Sequence, residues 1–63
     1  MYEIFVTATR DGTTKFFMAR SWGEARQKAS EVAGKRYRYV AIVHESHPWY
    51  SEAVAQVDPN SLN

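Results

Sequence analysis

Apolar and polar residues alternate from Tyr2 to Arg10, with Tyr2, Ile4, Val6 and Ala8 on one side and Glu3, Phe5, Thr7 and Thr9 on the other. A period of two marks a half-buried strand, because successive side chains of extended backbone point to opposite faces. Asp11-Gly12 follows as a strong hairpin signal, and Lys15 to Arg20 reads as the return strand. Loop length decides which residues share a face. A two-residue turn sets Phe17 beside Val6. A three-residue loop with Gly12 in the left-handed position instead gathers Ile4, Val6, Ala8, Phe16 and Met18 into one apolar face, and for that reason it is the preferred register.

The period then changes. Ser21-Trp22-Gly23-Glu24 has the form of a capping box, in which the serine oxygen accepts from the amide three residues on and the glutamate reaches back. A helix to about Ala33 follows, with Trp22, Ala25, Ala29 and Val32 on one face and Arg26, Gln27, Ser30 and Glu31 on the solvated one. The alanines let its axis lie close to a sheet, and Gly34 is a natural left-handed stop.

Tyr39 to Val43 is β-branched and aromatic, the composition of a third strand. A right-handed crossover sets it parallel to the second strand, and the simplest sheet then has order 2-1-3, with strand three beside strand one and antiparallel to it. Val40 and Ile42 are expected on the helix side, and Tyr37, Tyr39, Ala41 and Val43 on the other, next to Phe5 and Phe17. Phe5, Phe17, Tyr37 and Tyr39 then form an aromatic patch, which means an interface unless the chain covers it itself. Pro48 suits a first helical turn, and Trp49, Tyr50, Ala53, Val54 and Val57 repeat at helical spacing; a strand over residues 51–57 is the alternative. Asp58-Pro59-Asn60 ends the element and leaves 58–63 as a frayed tail. The fold class expected is α+β, one domain over residues 1–63. It has a three-stranded antiparallel sheet (β-β-α-β), one helix packed on one face, and a short C-terminal helix or strand.

Composition narrows the function more than the fold. Sixty-three residues without cysteine hold neither a disulfide staple nor a thiolate metal site. No apolar run approaches the roughly 18–20 residues of a membrane span, and the start lacks the layout of a secretory signal, so the expected location is cytoplasmic. Net charge is +1, yet Lys35, Arg36 and Arg38 stand together unopposed, and the charged residues after Ala41 are all acidic.

Enzyme chemistry finds no foothold. His44 and His47 are three apart but leave a strand for a loop and have no good third ligand, so no metal is expected. No serine, histidine and carboxylate stand at a motif spacing, and no glycine-rich phosphate loop exists, so neither catalytic residues nor a cofactor are expected.

The basic-aromatic run is the better signal. Lys35, Arg36, Tyr37, Arg38 and Tyr39 form the expected partner-binding set, with Arg20 added from the neighbouring strand's end. Arginine and tyrosine are enriched at protein hot spots, and a low net charge ranks a protein partner ahead of nucleic acid. The alternatives are a small nucleic-acid binder using the same residues, or a structural module forming a homodimer through Phe5, Phe17 and Tyr39.

The hairpin, the Ser-Trp-Gly-Glu-Ala helix and the third strand, over roughly residues 3–44, resemble small bacteriophage-encoded proteins that disable host machinery. Podovirus inhibitors of bacterial RNA polymerase and some anti-CRISPR proteins share this plan. The matching parts are Phe5-Val6-Thr7-Ala8-Thr9, Glu24-Ala25 and Ala29, and Val40 with Val43. The resemblance implies a non-enzymatic inhibitor that occupies a surface of a host bacterial protein, such as RNA polymerase or a defence complex. The inhibitor's third-strand contact arginines fall at Ile42 and His44 here, and this chain's own basic residues lie earlier.

Overall fold

The computed structural model describes residues 1–57, so the stop at Asp58-Pro59-Asn60 and the 58–63 tail lie outside the described residues. Within them the order is β1 (Glu3–Ala8), β2 (Thr14–Ala19), α1 (Trp22–Ala33), β3 (Val40–Ile42) and α2 (Tyr50–Val57). The sheet is antiparallel with order β2-β1-β3, the simplest arrangement expected from the sequence. Of the helix and the strand that the spacing of the C-terminal segment allows, the chain forms the helix.

The hairpin takes the three-residue loop. Ile4 pairs with Met18 and Val6 with Phe16, while Gly12 sits at φ +95° and donates its amide to the Thr9 carbonyl at 2.9 Å. Asp11 locks the turn: its carboxylate accepts from the Thr9 hydroxyl, from the Thr13 amide at 3.1 Å and from the Thr13 hydroxyl at 2.9 Å. Those donors, led by Thr9, hold its pKa down from 3.8 to about 2. A depressed folded-state pKa stabilises the fold above the unfolded value, and that contribution disappears as pH falls through the folded one. Asp11→Asn is therefore expected to flatten the acid limb of stability between pH 3.8 and about 2. Chemical denaturation across that range, on both chains, checks it; two parallel limbs would disprove it.

Half of the capping box forms. Ser21 Oγ accepts from the Glu24 amide at 3.2 Å, but the Glu24 carboxylate turns outward, between Arg20 Nε at 3.6 Å and Lys28 Nζ at 3.3 Å. At the other end Gly34 has φ +91° and ψ +160°. This is not the left-handed helical stop expected but a more extended region that essentially only glycine occupies. A methyl group there would touch nothing within 4 Å, so the penalty of Gly34→Ala is purely conformational. It is expected to destabilise the domain by about 1–3 kcal/mol, measured as a shift in the urea midpoint. An unchanged midpoint would mean that the backbone relaxes freely there.

The faces of the sheet are dressed differently from the sequence expectation. α1 lies on the Phe5 and Phe17 face, with Ala25 and Ala29 fully buried against it and Tyr37, Val40 and Ile42 packed around. α2 covers the opposite face, where Ala53 meets Val6 and Val43, flanked by Ile4, Phe16, Ala41 and Tyr50. Val40 and Ile42 do face α1, but Ile42 pairs with Phe5 and Val40 with Thr7, so they share a face with the phenylalanines.

Volume explains the choice. Two alanines bring the α1 backbone close to the sheet, and the large rings of Phe5 and Phe17, 6.0 Å apart, fill the space beneath. Trp22 and Val32 sit at the margins of the α1 contact and remain partly exposed; Trp22 reaches Phe5 edge-on at 5.0 Å. With Phe5 and Phe17 buried, the aromatic surface expected for a homodimer does not exist. Of its three residues only Tyr39 is exposed.

Candidate functional site: the hairpin pole

Topology gathers the basic residues. β2 and β3 both run antiparallel to β1, so both begin beside the hairpin turn, and α1, returning from the end of β2, finishes there as well. One pole of the molecule therefore carries Arg10 in the turn, Lys15 near the start of β2, and Lys35, Arg36 and Arg38 in the link from α1 to β3. These are five of the eight lysines and arginines of the chain. Among the described residues none of the five has a carboxylate partner. The acidic residues at this pole are Asp11, whose carboxylate is engaged by Thr9 and Thr13, Glu31 in the last turn of α1, and Glu52 of α2, which lines a cleft with Thr14.

The link is held by backbone. The Tyr37 amide bonds the Gly34 carbonyl at 3.1 Å, and the Arg38 amide bonds the Ala8 carbonyl at 2.9 Å. That second bond is one residue out of the register that pairs Val40 with Thr7. This slip shortens β3 to Val40–Ile42, against the expected Tyr39 to Val43, and reverses the alternation of side chains before it. Tyr37 consequently packs against the α1-side core instead of sharing a face with Tyr39. The buried Thr7 hydroxyl donates to the Tyr39 carbonyl, which fixes the other side of the slip. Arg38 extends over the hairpin: its Nη1 lies 3.5 Å from the point a β-carbon on Gly12 would occupy. Lys35, Arg36, Arg38 and Tyr39 are exposed, while Tyr37 is half-buried and acts as the anchor of the segment.

Arg20 does not join this group. It follows the end of β2, beside Glu3 and therefore at the opposite pole, where its guanidinium pairs with Glu24 and stands 5.3 Å over the Tyr2 ring. Parallel β2 and β3 bring the start of β2 beside the start of β3, so Lys15, not Arg20, is the lysine or arginine of that strand at the pole. The signal that finds Arg10 and Lys15 is thus the order 2-1-3 itself, applied to strand ends.

The other features offer less. Among the described residues no three of histidine, cysteine, aspartate and glutamate gather as metal ligands. His47 Nδ1 instead accepts from the Trp49 amide at 3.0 Å. An open cleft of about 330 Å³ lies at the far pole, floored by Ile4, Met18 and Val43 with Glu3, His44 and Glu45 at its rim. Among the described residues no buried side-chain polar atom lacks a partner. No helix among them is long and apolar enough to cross a membrane. No protein-family model, curated protein or solved structure matches this chain.

Proposed function

We propose that this chain is a non-enzymatic binding protein that docks its hairpin pole on an acidic surface of a partner protein. In keeping with the phage inhibitors its layout resembles, the partner would be a bacterial host protein. The observation that carries the reading is the convergence of Arg10, Lys15, Lys35, Arg36 and Arg38 on one pole, without carboxylate partners among the described residues. Unpaired cations on a rigid, backbone-pinned segment keep their field for an incoming anion, where they speed encounter and fix orientation. Exposed Tyr39 adds an aromatic contact beside them.

A protein partner is favoured over single-stranded nucleic acid by the covering of the sheet. Platform binders stack bases on an open sheet face. Here α1 and α2 occupy both faces, and Tyr37 is packed inward.

The test is capture from bacterial lysate by the immobilised chain, with and without nuclease. Arg36→Glu combined with Arg38→Glu is expected to reduce recovery of a stoichiometric protein partner by at least about tenfold, with an unchanged circular dichroism spectrum. Undiminished recovery by the double variant would overturn the assignment. Recovery of nucleic acid alone, with an affinity that falls by about 0.9 log unit per log unit of salt for each phosphate contact on duplex DNA, would replace it with the nucleic-acid reading.

A further inference from the structure

The two edges of the sheet are not equivalent. In an antiparallel ladder, alternate residues of an edge strand turn their amide and carbonyl away from the sheet. The Thr9 amide bonds the Thr13 carbonyl, which places Thr14, Phe16 and Met18 outward on β2. That edge is guarded: Lys28, reaching from α1, donates to the Met18 carbonyl at 2.7 Å. Trp49, just before α2, approaches Phe16 edge-on at 6.2 Å and with Glu52 lines the space beside Thr14.

The β3 edge has no such guard. The Val43 amide bonds the Ile4 carbonyl at 2.8 Å, so Val43 and Ala41 face β1, and Val40 and Ile42 turn their amides and carbonyls outward. Among the described residues, no side chain or loop takes up those groups. The edge runs directly out of the basic segment, with Arg36 and Arg38 exposed just before it.

We infer that the β3 edge is a strand-addition site: an extended acidic segment of the partner pairs with the outward groups of Val40 and Ile42 and sets its carboxylates against Lys35, Arg36 and Arg38. This rests on the reading of the hairpin pole as the docking surface and names how the partner is held there. A strand this short offers two donors and two acceptors, so backbone pairing sets geometry and register while the cations supply much of the attraction. Short strands with basic flanks are also the usual protection of an edge against indiscriminate pairing, and it is a segment of opposite charge that this protection admits. A second copy of this chain is a poorer occupant. Laid antiparallel about Ala41, it would set His44 opposite Arg38, Glu45 opposite Tyr37, Ser46 opposite Arg36 and His47 opposite Lys35, so that one carboxylate would meet three cations.

The experiment titrates isotope-labelled full chain with a capped peptide of alternating glutamate and valine at low salt, following amide exchange residue by residue. Exchange at Val40 and Ile42 is expected to slow by roughly tenfold near saturation, while Thr14 and Phe16 on the guarded edge are unaffected. Binding that shifts the signals of Lys35, Arg36 and Arg38 but leaves exchange at Val40 and Ile42 unchanged overturns strand addition and keeps the basic pole as a docking surface. No binding at all removes both. Slow exchange at Val40 and Ile42 that depends on protein concentration without peptide assigns the edge to a second copy and overturns the proposal.

Discussion

Phe5→Ala is expected to unfold this domain at room temperature. Phe5 is 2% exposed at the centre of β1, stacked near Phe17 and met edge-on by Trp22. Truncating a buried phenylalanine costs about 3–5 kcal/mol, the lost transfer energy plus a cavity that neighbours fill only in part. Collapse is difficult here, because Ala25 and Ala29 are already pressed against the sheet and have no side chain to extend into the space. A single core in a chain below about 70–80 residues rarely supplies more than about 3–5 kcal/mol, so the loss matches the whole stability. Thermal and urea unfolding measure it. A cooperative transition retained within about 1 kcal/mol of the parent would mean that the α1 face is not the principal core.

Ala53→Asp is the second large effect, and it acts on the opposite face. Ala53 is fully buried against Val6 and Val43, with the largely apolar side chains of Ile4, Phe16, Ala41 and Tyr50 around it. A carboxylate placed there is desolvated without a partner, and its pKa must rise. The cost at neutral pH is expected on the order of 3 kcal/mol, limited by the energy needed to undock α2. The sign with pH is definite: a raised folded-state pKa means that protonation relieves the penalty, so the variant recovers stability relative to the parent as pH falls towards 5. Undocking separates Trp49 from Phe16, which makes tryptophan fluorescence a local reporter. A penalty independent of pH would show that the side chain escapes to solvent and that α2 holds the sheet loosely.

These two variants probe an arrangement of helices on the sheet opposite to the one the sequence predicts. Alternation along Tyr2 to Arg10 shows that β1 has two faces, one apolar with Ile4, Val6 and Ala8, the other carrying Phe5 among Glu3, Thr7 and Thr9. Nothing in the alternation says which face receives which helix. Both helices carry an apolar stripe, and both faces need cover, so the pattern is satisfied either way. The packing is not. Alanines spaced four apart on α1 suit the two phenylalanine rings, and Ala53 suits the valines of the opposite face.

The basic segment divides in the same way. That Lys35, Arg36 and Arg38 would be exposed follows from their chemistry, and all three are. That Arg10 and Lys15 join them follows only from the strand order, which brings residues some twenty positions apart in sequence to one end of the sheet. Tyr37 and Tyr39 look equivalent in the chain. The one-residue slip at Arg38 separates them, turning Tyr37 into the core and leaving Tyr39 40% exposed.

Local signals thus settled the local matters by themselves. Asp11-Gly12 specified the three-residue turn, because a positive φ is inexpensive only for glycine and Asp11 can accept from the following threonine. Ser21 specified the start of α1 through its cap, and the crossover made β3 parallel to β2, for which the simplest sheet has the order observed. The pole that the cations share follows from that order. What only the tertiary structure decided was which face meets which helix and where β3 slips. Each of those depends on volumes and distances between residues remote in sequence, and the period of a chain carries no record of them.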